Sequence, residues 1–451
     1  MRIRGIRSSL FSNLLLLTLI ALSSVLTSFA QSGKISDQAA LVTEFEVNGL
    51  KVLIKRRESA PTVAAGLFIR GGARNITTEN VGIESFMLEV AKEASRNFPR
   101  DVVRRELAST GGGIGAGSDN DFSVLSLAST QDKFEKSWKI FTDLAMNPTF
   151  APSDVERVRD AIITGLRDEE TDTDNFLQIL QDRVIYDKHP YSNRVRGTIE
   201  SITKLQAKDL REYHKRIMKT SQLLLVIVGD INPDDLKNKI GATLGKLPRG
   251  NYKETAYPAL DFSEPTVEVV ARDLPTNYVQ GVFDAPSLSS VDYSAMRVAM
   301  AILQSNVFQE VRIKRQLSYA PNAELNSLGA NTAKIYVTAV DANQAVSVML
   351  NEINNLKTRQ IGGGVINRIA GHFLTLYYVD QQTNGAQARE LAKFELIGGG
   401  WRNTFEFLNR VREVKPEDVQ RVSQKYMKNI RFVVVGNPGS IQKDIFLQKA
   451  D

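Results

Sequence analysis

Two short runs near the start of the chain alternate between apolar and polar residues, Val42 to Val47 and Lys51 to Lys55, and Asn48-Gly49 lies between them. Alternation with period two puts every second side chain on one face of a strand. Asn-Gly supplies the two left-handed residues of a tight turn, so a β-hairpin is predicted. A third strand is predicted over Val63 to Arg70 and a further one around Phe122 to Ala128. Helices are predicted over Gly82 to about Ser95, Arg100 to Thr110, Phe134 to Leu144 and Ser153 to Glu169. Hairpins and helices are mixed without steady strand–helix alternation, which is the order of an α+β fold.

The pattern then repeats. Asp209-Leu210-Arg211-Glu212-Tyr213 runs through a helix into the apolar strand Leu223 to Gly229. About 207 residues later, Asp418-Val419-Gln420-Arg421-Val422 runs through a helix into Phe432 to Gly436. A repeat this long implies two related domains and not a solenoid, whose units are far shorter. The expected division is 41–250 and 265–451. The linker, 251–264, falls in the Pro-, Gly- and Tyr-rich run from Leu247 to Glu264.

Residues 1–30 read as an export signal, with Arg2, Arg4 and Arg7 ahead of an apolar stretch from Leu14 to Leu26 and Ser28-Phe29-Ala30 as the cleavage site. The apolar stretch is short for a membrane span of about 20 residues, so cleavage is expected, with no stable membrane insertion afterwards. A polar tail, 31–40, follows. The expected location is the periplasm or another exported compartment. The chain has no cysteine, and a mature chain of about 420 residues can bury two cores without disulfides. Removing the three signal arginines from 57 basic residues leaves 54 against 51 acidic ones, a balance near +3 that gives no reason to expect nucleic acid.

Catalytic zinc needs about three His, Cys, Asp or Glu ligands and an open position for water. With no Cys and only His189, His214 and His372, no two of which share a helical turn, the chain cannot assemble such a site from imidazole or thiolate. Glu89 and Glu93 are one turn apart and Glu84 precedes them. They are read as a solvated acidic helix edge. Without an activated water and a base, peptide hydrolysis has no nucleophile here.

The helix that begins Gly82-Ile83-Glu84-Ser85-Phe86-Met87-Leu88-Glu89, after a strand and the turn Gly71-Gly72-Ala73, resembles the N-terminal domain of the pitrilysin-type (M16) zinc peptidases. Asn147-Pro148-Thr149-Phe150, His189-Pro190-Tyr191 and Val228-Gly229-Asp230 add landmarks in matching order. The resemblance implies two M16-type domains, each a largely antiparallel sheet flanked by helices, closing like a clam. It also implies where an H-x-x-E-H motif would stand. Ser85 and Glu89 occupy the two His positions, Leu88 that of the general base, and Gly165, 76 residues beyond Glu89, that of the third ligand.

Gly111-Gly112-Gly113-Ile114-Gly115-Ala116-Gly117 follows a helix and leads into a strand, the wrong context for a phosphate loop. In the resembled family this is the sheet edge that pairs with substrate peptide, so Gly115 and Ala116 are the expected substrate-binding positions, by strand addition. Phe308 to Tyr319 resembles the family's Arg/Tyr segment, and Arg312 and Tyr319 stand seven residues apart. The family relation implies that they bind substrate and stabilise an oxyanion. The bland alternative is an amphipathic helix end with Arg312 solvated and Tyr319 in the core.

The family divides some of its peptidases between a chain with H-x-x-E-H and a chain with the Arg/Tyr pair. The expected role is therefore the non-metal subunit of an exported heterodimer. Such a chain holds no cofactor, with zinc in a partner carrying H-x-x-E-H and a peptide as substrate. The alternative is a non-catalytic scaffold or extended-peptide-binding protein. An autonomous enzyme with Ser85 as nucleophile lacks a neighbouring His to activate it.

Overall fold

The computed structural model describes residues 38–448, so the export signal and most of the polar tail lie outside the described residues. The first sheet contains β1 (Val42–Val47), β2 (Leu50–Arg56), β3 (Thr62–Arg70), β4 (Gly113–Ser118), β5 (Phe122–Thr130) and β6 (Leu223–Gly229). Its order is β1-β2-β6-β3-β5-β4. Asn48 (φ 50°) and Gly49 (φ 85°) make the predicted turn, which sets the β1–β2 register at Val47 opposite Leu50. The second sheet contains β7 (Thr266–Ala271), β8 (Asn277–Asp284), β9 (Asn322–Leu325), β10 (Thr332–Ala339) and β11 (Arg431–Gly436). Its order is β7-β11-β8-β10-β9.

Without the β1 hairpin strand, the two sheets have the same order and sense. The β2–β6 and β7–β11 pairs are parallel, and every other neighbouring pair is antiparallel. Residues 248–265 carry no helix or strand between them.

Each sheet buries one face under its own helices. In β2, Leu50, Val52 and Ile54 enter the first core together with Phe86, Phe141 and Leu210. The other face of each sheet is covered from across the molecule. The helix Thr173–Ile185 lays Leu177 and Leu180 on Val433 and Val435 of β11. Reciprocally, the helix Asn384–Ile397 lays Ala388, Leu391 and Ala392 on Leu53, Phe68, Leu224 and Val226. Trp401 is buried in this second contact and donates its indole N–H to Glu44 Oε2 at 2.7 Å, while Trp138 lies in the first core.

A polar hub joins the halves as well. Asp121 accepts hydrogen bonds from the Tyr191 hydroxyl, from the Tyr257 hydroxyl at 2.5 Å and from the Gly329 N–H at 3.1 Å. Burial pushes its carboxyl above the usual range against those bonds.

The helix predicted from Gly82 to Ser95 ends at Ala91. The chain turns there because Ser95 bridges to Pro148 and its hydroxyl donates to Asp143 at 2.6 Å, tertiary ties that outweigh helix propensity.

Candidate functional site

Helix Ile83–Ala91 packs between β4 and the long helix Pro152–Thr171. Ser85 and Glu89, one turn apart, form its partly exposed stripe, and Glu89 pairs with Lys92 at 2.7 Å. Leu88 is only 3% exposed and packs among Leu67, Leu125 and Met218, so the position of the family's general base belongs to an apolar core. Gly165 sits on the long helix. A Cβ built there would meet only Arg196 Nη2, at 3.7 Å.

The acidic edge expected for this helix is solvated only in part. Glu84 is 3% exposed, and its Oε2 accepts from the Tyr213 hydroxyl at 2.6 Å and from Asn75 Nδ2 at 3.0 Å. Burial raises its pKa against those bonds. Glu93 is bridged by Arg100 at 3.0 Å and Arg157 at 2.6 Å.

The histidines are occupied elsewhere or stand apart. His214 Nε2 meets Ala145 O at 2.8 Å, His189 Nδ1 accepts from Tyr191 N–H at 3.1 Å, and His372 lies exposed on the helix Gly363–Asp380. Among the described residues no three His, Asp or Glu side chains converge. A serine, a paired glutamate and a glycine overhung by a guanidinium do not make a donor set for Zn²⁺.

β4 is the edge of its sheet, as the glycine-rich run predicts. Gly115 stands opposite Ser126, whose hydroxyl donates to Gly115 O at 3.3 Å. A cleft of about 1150 Å³ opens beside this edge, with Gly113, Gly115, Phe68 and Phe122 on the sheet side and Phe373 and Tyr377 opposite. Gly115 borders the cleft, while Ala116 packs against the first core.

Arg312 and Tyr319 are brought together. The helix Tyr293–Val307 continues into a wider π-helical turn, Phe308–Lys314, the kind of irregularity often found at functional sites. Arg312 Cζ lies 4.1 Å from the Tyr319 ring centre and 5.0 Å from that of Phe308. Tyr319 is 79% exposed, so it is not a core residue. Neighbouring Lys314 and Arg315 are exposed and both pair with Glu310. Neither Arg312 nor Tyr319 lines the cleft.

Residues 51–199 match the family described as insulinase (peptidase family M16), and residues 204–362 match the one described as the peptidase M16 inactive domain. The chain belongs to peptidase family M16. Subunit 1 of the mitochondrial cytochrome b-c1 complex from Homo sapiens is 26% identical over 259 residues, 57% of this chain and 54% of that protein. The chain thus spans about half the length of the cytochrome b-c1 relatives it matches. A Helicobacter pylori protein named non-peptidase homolog YmxG is 22% identical over 321 residues, 69% of this chain and 74% of its own.

A Pseudomonas fluorescens structure described as a peptidase M16 inactive domain shares the fold with a TM-score of 0.80. It is 16% identical and covers 88% of this chain and 98% of its own. Within the M16 family this is an inactive-type chain: it is related to a non-peptidase homologue, and its three ligand positions and general-base position hold residues that cannot run zinc hydrolysis.

The sequence holds no signal for Arg196, which comes over Gly165 from 31 residues further along the chain. Lys55, in β2 and only 2% exposed, did leave one, a charge among the apolar residues of a strand.

Proposed function

We propose that this chain is the non-metal subunit of an exported, split M16 peptidase. In this reading, Arg312 and Tyr319 act at a zinc site held by a partner chain with H-x-x-E-H. The observation that carries it is the stacked pair itself, an exposed tyrosine held under a permanent cation at a π-helical turn. A phenol O–H and a guanidinium together suit a carbonyl oxygen that gains negative charge, and a permanent cation keeps its role at any physiological pH. β4 adds a place for extended peptide, since its outer edge has no neighbouring strand among the described residues and carries neither charge nor proline. The signal-like first thirty residues favour an exported complex, in the periplasm or another exported compartment.

The test is co-purification from the envelope fraction with identification of the partner, followed by peptide turnover by the reconstituted complex. Tyr319→Phe and Arg312→Ala each lower kcat by about a hundredfold, the effect of removing one oxyanion donor, and leave assembly unchanged. Indifference of turnover to both variants overturns the shared-site reading. The open β4 edge beside an aromatic cleft also favours a second reading, a non-catalytic peptide-binding protein. Peptide binding in the absence of any H-x-x-E-H partner would select it.

A further inference from the structure

Helix Tyr293–Val307 runs through the second core, and from Asp292 to Met300 every residue is buried except Arg297. A permanent cation at such a position is costly unless its head finds water or an acceptor. Here Arg297 lines the cleft that β4 also borders. Its guanidinium carbon lies 5.5 Å from the ring centre of Phe373, and its Nη1 reaches Leu325 O only at 3.4 Å. Nε and Nη2, the two nitrogens of one guanidinium edge, have no acceptor among the described residues. The acidic groups that share the cleft do not fill that place. Glu390 is bridged by Lys393 at 2.7 Å, and Asp119 has its Oδ1 taken by the N–H groups of Asp121 and Phe122 at 2.9 and 3.1 Å. Around Arg297 the wall is aromatic. The Phe407 ring stands 6.2 Å from that of Tyr293 and 6.5 Å from that of Phe373, and the Tyr293 hydroxyl is already bonded to Ser327 at 2.7 Å. This end of the cleft therefore offers one free cationic edge among three rings.

We propose that Arg297 is the carboxylate receptor of this cleft, taking the free C-terminus of a peptide whose last side chain is apolar and rests on the rings. This rests on the peptide-binding reading of β4, which borders the same cleft, and adds a ligand chemistry to it. The Nε–Nη2 edge is a planar pair of N–H donors spaced for the two oxygens of a carboxylate. Apolar walls strengthen that pairing, because little water competes for either charge. A chain end carries its carboxylate and its last side chain on one carbon, so both reach the guanidinium and the rings together. A Glu side chain offers the same anion on a longer stem, without an apolar group beside it. Hydrolysis of a peptide bond leaves a new C-terminal carboxylate, so the N-terminal product of a cleavage belongs to this ligand class.

The test is fluorescence anisotropy on the full chain with a ten-residue peptide of alternating small and apolar residues, labelled with fluorescein at its N-terminus. One form ends in leucine with a free carboxylate, one in leucine amide, and one in leucine amide with an internal glutamate. The free acid is expected to bind about tenfold more tightly than the amide. Arg297→Gln brings the acid down to the amide level and leaves the amide unchanged, which also shows that the variant is folded. Arg297→Lys keeps part of the difference. Binding of the glutamate form as tight as that of the acid overturns the assignment to a chain end. Equal binding of all three forms, or a preference for the acid that survives Arg297→Gln, overturns the inference and leaves β4 as a peptide site. Failure of every peptide to bind overturns both.

Discussion

Replacing Lys55 with Met stabilises the protein at neutral pH and removes a pH dependence from its unfolding. Lys55 lies in β2 on the face turned toward the second half of the molecule, is 2% exposed, and has its ammonium 5.3 Å from the ring centre of Phe405. No carboxylate pairs with it among the described residues. Burial pushes its pKa from the ordinary 10.5 down to about 8, and the charge of Arg57 adds to the fall. At about 1.4 kcal/mol per tenfold change in protonation, that difference corresponds to roughly 3 kcal/mol.

The sign follows from proton linkage. Below pH 8 the amine is charged in both states and the folded state bears the full cost. Between pH 8 and 10.5 the unfolded chain binds more protons than the folded one, so stability rises with pH. Lys55→Met is therefore expected to gain about 2 to 3 kcal/mol at pH 7 and to show little of that rise. Urea denaturation of both proteins at pH 7, 8, 9 and 10 measures this. A wild type whose stability is flat across that range, with Lys55→Met no more stable at pH 7, refutes the reasoning.

Leu88→Glu restores the family's base but buries a carboxylate in an apolar core, and is expected to cost more than about 3 kcal/mol by urea denaturation. Gly165→Ala removes a glycine from a helix interior where the new Cβ meets only Arg196 at 3.7 Å, so it should stabilise by about 0.5–1 kcal/mol in thermal unfolding. Tyr257→Phe deprives the buried Asp121 of one of its donors and is expected to cost about 1–2 kcal/mol, read as a lower urea midpoint.

What the sequence makes legible is local. Asn48-Gly49 announces its turn because two left-handed residues in a row suit few other pairs, and helix Arg100–Thr110 has the boundaries its pattern predicts. The apolar strands before Gly229 and Gly436 occupy matching places in the two sheets, so the internal repeat is visible to the eye before the fold is known. Glu84 shows where such reading stops. As a carboxylate in an acidic helix it reads as solvated, yet it is buried against a partner, Tyr213, that is 129 residues away. The alternation in β2 was readable, but which face meets a second domain was not, and the cost of Lys55 lies in that distinction. Arg312 and Tyr319 are visible as a spacing, while the stacking that joins them needs the π-helical turn.

The reciprocal covering of the sheets bears on how the duplication can be taken apart. Each half uses a helix of the other as a missing layer, Thr173–Ile185 over β11 and Asn384–Ile397 over β3 and β6. Neither half is a self-sufficient folding unit, because alone it would leave an apolar sheet face open to water. The packing is that of a tethered dimer of incomplete monomers. A cut within residues 251–264 should leave two fragments that remain associated and refold only when mixed, and a mutation on either helix should unfold the half it does not belong to.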